Sequence, residues 1–290
     1  MFGFLNVYKP VDMTSHDVVS VLRRVTKFKH IGHAGTLDPF ARGVLPILLG
    51  KAARLSDFLS EEKAYIADIQ FGKNTDTYDR CGEVTEIFDK KIQLPDLQKE
   101  VQNFIGEIIQ NPPIYSAIKV NGKRLYEIAR EKGGKEQTDV KIPERKVIIN
   151  NINIIDFNFE NQTAKIEVDC KKGTYIRSLA YDIGKSLDCG AYLEGLERTV
   201  SGPFALDSAI KLENLKTIED VEKNIINPVQ MLPQYKKVDL TDEENELVRH
   251  GRNVEREQLQ DGEVLLVYKN NISAVGKSEN GSVKPEKVFI

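Results

Sequence analysis

The sequence predicts an α+β fold in which a mixed, mostly antiparallel sheet is flanked by helices and followed by a small C-terminal β barrel. Apolar residues alternate at 64–71 and 163–170, as in half-buried strands, and recur every three or four positions at 18–28 and 97–108, as in amphipathic helices. These strands and helices are intermixed and linked by hairpins. Because they do not alternate strictly, a mixed sheet is favoured over a doubly wound parallel one.

The composition is that of an ordinary folded protein. Of its 290 residues, 40% are hydrophobic and 29% are charged, and the sequence shows neither a signal peptide nor an apolar run of membrane-spanning length. The three cysteines cannot all pair, which suggests a reducing cytoplasm. The four histidines lack metal-ligand spacing, so we expect no metal site.

The charge distribution points to a polyanionic partner more than the total charge does. The formal net charge is −3, which by itself argues against nucleic acid. However, residues 1–54 hold eight Lys/Arg against three Asp/Glu, and residues 115–150 hold nine against five. Two basic regions suit a polyanion bound on one face, although a solvated charged surface explains them as well.

The N-terminal part is predicted to begin with a strand that leads into a capped helix. Residues 6–9 indicate the strand, and Thr14 with Asp17 has the spacing of a capping box at the start of the helix. Residues 44–49 form a continuous apolar run, which predicts a buried strand. In the polar loop that follows the strand at 64–71, we interpret Asp76 and Asp79 as turn-forming side chains.

The middle of the chain contains a basic insertion between strands. Asn121-Gly122 is a strong hairpin signal, and a basic helix is predicted at 124–132. An insertion at about 120–143 that grips a ligand is one interpretation, and an ordinary surface loop is the other.

Further strands and helices are predicted after the insertion. Residues 147–149 and 152–159 have the pattern of two successive strands. Extended backbone at 171–177 would place Tyr175 and Arg177 on the same face, ahead of another helix.

The C-terminal part is predicted to form a separate domain. Residues 207–223 have the pattern of an acidic helix, and we place a domain boundary after residue 233. The first domain is then 1–233, and residues 234–290 form a small β-rich barrel in which Thr241 caps a short helix.

The loop at 32–39 is the candidate for chemistry. It has the sequence Gly-His-Ala-Gly-Thr-Leu-Asp-Pro and carries an imidazole, His33, and a carboxylate, Asp38. Pro39 biases Asp38 toward extended backbone, and His33 could replace a base drawn out of its stack. A surface turn is the plainer interpretation, because the same residue types build turns. One carboxylate also argues against an ordinary glycosidase, which needs two.

Residues elsewhere supply partners for this loop. Arg177, if it reaches Asp38, would keep that carboxylate ionised. Tyr65 and Tyr175 offer flat faces that can sandwich a base, and Leu196 could line an apolar pocket wall. Ordinary structural roles are open to each of these side chains. The candidate site consists of the catalytic residue Asp38 and the supporting residues His33, Tyr65, Tyr175, Arg177 and Leu196.

Six short motifs follow one another along the chain. They are Lys9-Pro10 with Thr14-Ser15; residues 32–39 with Gly43-Val-Leu-Pro; Lys63-Ala-Tyr65; residues 112–119 (Pro-Pro-Ile-Tyr-Ser-Ala-Ile-Lys); residues 172–179 (Lys-Gly-Thr-Tyr-Ile-Arg-Ser-Leu); and residues 196–199 (Leu-Glu-Arg-Thr). In order and spacing they resemble the motifs of the bacterial tRNA pseudouridine-55 synthases, the TruB family. Residues 261–289 resemble a PUA domain, an RNA-binding β barrel.

The resemblance implies a pseudouridine synthase fold and an enzyme that flips a uridine out of the tRNA T-loop. Asp38 would break the bond from C1′ to N1 by attacking C1′, adding to C6 or removing the C2′ proton, and the uracil would rejoin through C5. Tyr65 would stack on the base, Arg177 would pair with Asp38, and Lys9 and Pro10 would have a structural role under the loop. The implied partner is the tRNA T stem-loop, with no cofactor, guide RNA or membrane, and a monomer is the simpler expectation.

Two other functions compete with this one. An RNA-binding or RNA-folding module would use the same cleft without chemistry. The guide-RNA-dependent relatives of archaea and eukaryotes rely on partner proteins and an extended N-terminal segment. Here the first motif begins within ten residues of Met1, so we expect no such segment.

Overall fold

The computed structural model describes residues 1–113, 119–120, 123–124 and 143–290. Of the basic helix predicted at 124–132, only Arg124 is described, and it is a strand residue; the rest of that helix and most of the predicted insertion lie outside the described residues. In chain order the strands are β1 (Gly3–Lys9), β2 (Ile31–His33), β3 (Arg42–Leu49), β4 (Glu62–Phe71), β5 (Lys73–Thr75), β6 (Val84–Ile87), β7 (Gly106–Gln110), β8 (Lys119–Val120), β9 (Lys123–Arg124), β10 (Arg145–Asn158), β11 (Thr163–Lys171), β12 (Ala191–Ser201), β13 (Phe204–Ala205), β14 (Ile210–Lys211), β15 (Lys236–Asp239), β16 (Val254–Glu255), β17 (Gly262–Tyr268), β18 (Asn271–Glu279) and β19 (Ser282–Val288).

The helices are short. The α-helices are α1 (Ser15–Thr26), α2 (Leu94–Glu100), α3 (Ile176–Ser186), α4 (Ile218–Glu222) and α5 (Asp242–Arg249). Segments of 3-10 helix lie at Gly50–Phe58, Val101–Phe104, Leu206–Ser208, Leu212–Asn214 and Pro228–Met231. Within the described part of the chain, no helix has the length and apolar character needed to cross a membrane.

The chain divides into two compact units. Unit one consists of Met1–Asp38, Val44–Ser60 and Gly202–Ile290, and unit two of Pro39–Gly43 and Glu61–Ser201. Parallel and antiparallel neighbours both occur, and most are antiparallel, so the predicted mixed sheet flanked by helices is confirmed. The domain boundary predicted after residue 233 stays a prediction.

In unit one, helix α1 begins with the predicted capping box. Thr14 Oγ1 accepts a hydrogen bond from Asp17 N at 3.0 Å, and Asp17 Oδ2 accepts one from Thr14 N at 2.8 Å. The helix ends at Thr26 because Lys27 takes a left-handed φ of 56°. The apolar face of α1 packs in one buried cluster with β1 and β3: Leu5, Val7, Val18, Val19, Leu22, Leu45, Ile47 and Leu49.

The predicted C-terminal β-rich region is confirmed as a sheet of unit one. Its described strands run in the order β15-β17-β18-β19-β16, with β15 parallel to β17 and the other neighbours antiparallel. Helix α5 is capped as predicted, because Thr241 Oγ1 accepts from Glu244 N at 3.2 Å. Residues of this sheet share a buried cluster with N-terminal elements of the same unit: Leu265, Val275 and Phe289 with Phe4, Val44 and Phe58.

The prediction of a helix at 207–223, in unit one, was wrong. Residues 207–223 form short turns, the strand β14 and the five-residue helix α4. Two physical causes divide the segment. Ile210 pairs in parallel with Val7 of β1, so strand pairing replaces helical backbone there. Thr217 then starts a new helix by accepting a hydrogen bond from Asp220 N at 3.1 Å.

Unit two is built on an antiparallel sheet in the order β12-β4-β11-β10-β7. The two strands predicted at 147–149 and 152–159 are one strand, β10, so that prediction was wrong. Its pairing with β11 shifts register between Ile149 and Asn151 and again between Ile154 and Asp156. Bulges of this kind interrupt the apolar alternation and bend a strand without ending it.

The prediction of an amphipathic helix at 97–108 was wrong for the second half of that range. Helix α2 ends at Glu100 and is followed by one 3-10 segment. Gly106 then takes a φ of +103°, which ends helical backbone, and Ile108 lies in β7 opposite Val147. The hairpin predicted at Asn121-Gly122 is confirmed by its flanks, since β8 and β9 pair antiparallel.

The first two residues of β3 enter the unit-two sheet through a close backbone approach. Arg42 and Gly43 pair in parallel with Glu197 and Arg198 of β12. Gly43 has a φ of +108°, and a Cβ added there would lie 2.3 Å from the carbonyl oxygen of Arg198. A side chain at this position is therefore excluded twice, by backbone conformation and by space.

Replacing Gly43 by alanine is expected to destabilise the protein by roughly 2–4 kcal/mol, because the strands must separate or the backbone must change φ. Urea denaturation measures the loss. The matched control is Gly32→Ala, since a Cβ at Gly32 meets nothing within 4 Å. Equal stability of the two variants would contradict the close approach.

Candidate active site

The loop that carries Asp38 leaves the end of a short hairpin in unit one. Strand β2 ends at His33, which lies opposite Ile47 of β3. One residue later, Ala34 N donates to Pro46 O at 2.9 Å. These bonds hold the start of the loop against β3, and Asp38 at its end is half-buried.

A serine hydroxyl fixes the residue next to Asp38. Ser15 Oγ accepts a hydrogen bond from Leu37 N at 2.8 Å and lies 3.2 Å from Leu37 O, to which it donates. Ser15 is the first residue of α1, and the Leu37 side chain is buried. Both backbone groups of Leu37 are therefore bound to the helix start, which restricts the position of the adjoining carboxylate.

A buried lysine, Lys9, stabilises the turn that precedes Ser15 and helix α1. The Lys9 side chain is fully buried, and its Nζ donates to Pro10 O at 2.8 Å and to Met13 O at 2.6 Å. A buried ammonium needs such acceptors, because an uncompensated charge is costly away from water. Lys9 thereby holds the turn that leads into α1, in line with the structural role expected for it.

In unit two, Arg177 forms a buried ion pair with Asp79. Their side chains are 5% and 6% exposed, and Arg177 Nη1 lies 3.2 Å from Asp79 Oδ2. The same nitrogen donates to Thr77 O at 3.4 Å. In water-poor surroundings such a charge-assisted pair holds the guanidinium in one orientation. The pairing of Arg177 with Asp38 stays a prediction.

The role of Asp79 was only partly anticipated. As predicted, it forms the turn, because its Oδ1 accepts from Thr77 Oγ1 at 2.8 Å and from Cys81 N at 2.9 Å. Asp76 also forms the turn, by accepting from Glu83 N. The ion pair of Asp79 with Arg177 was missed, since an aspartate in a polar loop carries no local sign of a partner 98 residues away.

Tyr175 is held at the start of helix α3 by a buried amide. Gln110 Oε1 accepts from Tyr175 N at 3.0 Å, and Gln110 Nε2 donates to Tyr175 O at 3.2 Å. Tyr175 is extended, but the helix begins at Ile176 and contains Arg177. The prediction of extended backbone through Arg177 was wrong, because the helix starts within the motif. Gln110 is a supporting residue that the sequence did not reveal.

Tyr65 and Leu196 lie on one face of the unit-two sheet. Tyr65 of β4 is opposite Arg198 of β12, and Leu196 is opposite Ala67, two residues along β4. Residues two apart on a strand share a face, so Tyr65 and Leu196 are diagonal neighbours. Both side chains are largely buried, and Arg198 is fully buried beside them.

Lys63 lies on the same face, two residues before Tyr65. Burial lowers the pKa of Lys63 from 10.5 to about 8, and the positive charge of Arg198 lowers it further in the same direction. The ammonium is therefore less favourable in the folded chain than in water. Within the described residues, no group of three His, Cys, Asp or Glu side chains is placed to hold a metal ion.

Exchanging Asp79 for asparagine keeps the shape of the turn but removes the charge facing Arg177. We expect a loss of roughly 2–4 kcal/mol in the free energy of unfolding, because a buried guanidinium loses a counter-charge. Urea denaturation at neutral pH measures it. Asp76→Asn in the same loop is the matched control, and similar losses in both variants would show that the ion pair contributes nothing.

Changing Lys63 to methionine is expected to raise stability at pH 7, because an unfavourable buried charge is removed. Since the pKa of Lys63 is about 8 in the folded chain and 10.5 ordinarily, the unfolded chain binds more protons between these values, and stability rises with pH across that window. The advantage of the variant should therefore vanish above pH 10.5.

Denaturation midpoints measured as a function of pH test this expectation, with the exposed Lys73→Met as control. A constant difference between Lys63→Met and the original protein at all pH values would rule out the titration of Lys63 as its cause.

Comparison with known proteins agrees with the motifs. Residues 23–176 match the model of the TruB family pseudouridylate synthase N-terminal domain, and residues 177–232 match the tRNA pseudouridylate synthase B C-terminal domain. A tRNA pseudouridine synthase B of Clostridium perfringens (strain SM101 / Type A) is 40% identical, over 100% of this chain and 99% of its own length. One of Synechocystis sp. is 41% identical, over 100% of both chains.

A solved structure shares the fold. It is described as the archaeal box H/ACA sRNP Nop10-Cbf5 complex, with a TM-score of 0.72 and 25% sequence identity over 100% of this chain and 86% of that one. Family models that cover most of the chain, together with full-length relatives near 40% identity, decide its membership. The chain belongs to the TruB family of pseudouridylate synthases.

Proposed function

We propose that this chain isomerises uridine 55 in the T-loop of tRNA to pseudouridine, with Asp38 as its catalytic residue. The observation that carries the proposal is the loop at 32–39, which has the family motif and whose Leu37 is bound through both backbone groups to Ser15. The names of the full-length relatives support tRNA as the substrate. A carboxylate held in one place can act at a base that has been flipped out of its stack.

The reaction exchanges one glycosidic bond for another. The bond from C1′ to N1 breaks, the detached uracil turns, and a bond from C1′ to C5 forms. C5 loses its proton and N1 gains one, so no atom is added and no oxidant is consumed. Asp38 starts the exchange at C1′, at C6 or at the C2′ proton, and these three routes stay open.

The other candidate residues have supporting roles in this proposal. Tyr65 stacks on the flipped base and is suited to take the C5 proton, while Leu196 on the same sheet face lines the pocket. Tyr175 adds a second aromatic wall, supported by the Gln110 amide. Arg177 is the proposed partner of the catalytic carboxylate.

His33 supports the flipped geometry of the tRNA. It is the last residue of β2, next to the loop.

The domain division and the setting of the reaction are part of the proposal. Residues 1–233 form the catalytic domain and 234–290 an RNA-binding PUA-like domain, supported by family matches that end at residue 232. The T stem-loop is bound without a guide RNA, and the reaction takes place in the cytoplasm, where tRNA is modified. A monomer stays the expectation for the assembly.

Guide-dependent modification is the alternative that a specific observation favours, because the box H/ACA structure shares the fold. Sequence identity supports action without a guide RNA. The chain is 25% identical to that protein but about 40% identical, over the full length, to relatives named tRNA pseudouridine synthase B. We therefore propose action on free tRNA. A binding module without chemistry would leave the nucleosides of that tRNA unchanged.

The replacement Asp38→Asn is expected to lower the rate of pseudouridine formation by at least about a thousandfold, because the reacting carboxylate is lost. The substrate is a bare T stem-loop RNA, with no guide RNA and no partner protein. Mass analysis of its nucleosides after cyanoethylation measures the product, and filter binding measures RNA affinity, which should stay within about threefold.

Asp12→Asn is the matched control, because it is the same exchange at an exposed turn of unit one. If the original protein makes no pseudouridine in bare RNA, the proposed function falls. If Asp38→Asn and Asp12→Asn both retain the original rate, the proposed function stands but Asp38 is not the catalytic residue.

A further inference from the structure

Two tyrosines form a close ring stack beside the buried ion pair. The ring centroids of Tyr78 and Tyr181 are 4.1 Å apart, and the ring planes are inclined by 21°. Stacked aromatic rings stabilise a contact beyond the effect of the area that they bury. Neither the motifs nor the proposed roles of the site residues include this pair.

The stack and the ion pair join the same two elements. Arg177 and Tyr181 are four residues apart on α3, so their side chains leave the helix on one face, one turn apart. Their partners, Asp79 and Tyr78, are adjacent in the loop after β5. The helix therefore contacts the loop at two neighbouring points, once by charge and once by ring packing.

The loop needs such support at Tyr78. Its φ of +61° lies in the left-handed region, which is costly for a bulky aromatic residue. Hydrogen bonds from Tyr78 N to Thr75 O at 3.2 Å and from Leu193 N to Tyr78 O at 3.0 Å fix its backbone. An unfavourable conformation persists when its surroundings over-determine it, and here they do so next to Asp79.

We propose that Tyr181 is a positioning residue for the reaction: by stacking on Tyr78 it holds Asp79 against Arg177 and so sets the orientation of the guanidinium. The proposal rests on the proposed function, in which Arg177 supports the catalytic carboxylate. Preorganised charge acts only when its orientation is fixed before the reaction begins. The ring of Tyr181 provides the stack that fixes this orientation, so phenylalanine should be able to replace Tyr181.

The first measurement is the single-turnover rate on bare T stem-loop RNA. Tyr181→Ala is expected to slow the rate by about tenfold while RNA affinity stays within about twofold, because the guanidinium loses its fixed orientation and the residues proposed to contact the RNA are unchanged. Tyr181→Phe keeps the stack and should retain the original rate. Tyr192→Ala, a half-buried tyrosine on β12 of the same unit, controls for general loss of stability.

A double-mutant cycle separates positioning from plain stability. If Tyr181 acts through Asp79, then Tyr181→Ala combined with Asp79→Asn is no slower than Asp79→Asn alone. Additive losses would overturn the proposal, as would an unchanged rate in Tyr181→Ala. Equal losses in Tyr181→Ala and Tyr181→Phe would overturn it too, because the hydroxyl and not the stack would then carry the effect.

A readout without RNA keeps this inference distinct from the proposed function. The Nε–Hε resonance of Arg177, assigned by its loss in Arg177→Lys, should shift or broaden in Tyr181→Ala and stay in place in Tyr181→Phe. If the original protein proves inactive, the proposed function fails and this resonance still decides whether Tyr181 positions Arg177. An unchanged resonance in Tyr181→Ala overturns the proposal in either case.

Discussion

The buried pair of Arg177 and Asp79 is the interaction on which the unit-two part of the candidate site depends. A guanidinium that is 5% exposed must be compensated by a charge and by acceptors, and Asp79 with Thr77 supplies both. Asp79 uses its other carboxylate oxygen to close its own turn. The Asp79 side chain therefore both closes its own turn and holds the Arg177 guanidinium of helix α3.

In unit one, hydrogen bonds fix the segment that leads to the candidate carboxylate. Its candidate carboxylate follows Leu37, whose two backbone groups are bound by the Ser15 hydroxyl, and Ser15 in turn lies at the start of a helix that Lys9 supports. Each step uses a polar group that would be costly to bury without a partner. Because these buried polar groups must keep their hydrogen bonds, the position of Asp38 is restricted.

Local patterns were sufficient where a feature is local. The capping box at Thr14, the alternation in β11 and the hairpin flanks all follow from residues a few positions apart. The patterns failed where distant pairing decides the structure, as at Ile108, which has helical spacing but pairs with β10. Asp79 and Gln110 were missed for the same reason, because their partners lie 98 and 65 residues away. The candidate loop at 32–39 was identified by its motif, which indicates residue types but not their positions in space.

The segmented make-up of unit one has a consequence for synthesis on the ribosome. Its core cluster joins Phe4 near one end of the chain with Phe289 near the other, and Arg54 donates to Val288 O at 2.8 Å while lying over the Phe289 ring. Phe4 leaves the exit tunnel early, but the core that contains it cannot be completed until Phe289 has been synthesised. Apolar surface of the nascent chain stays uncovered during that interval, which exposes it to aggregation until the late residues arrive.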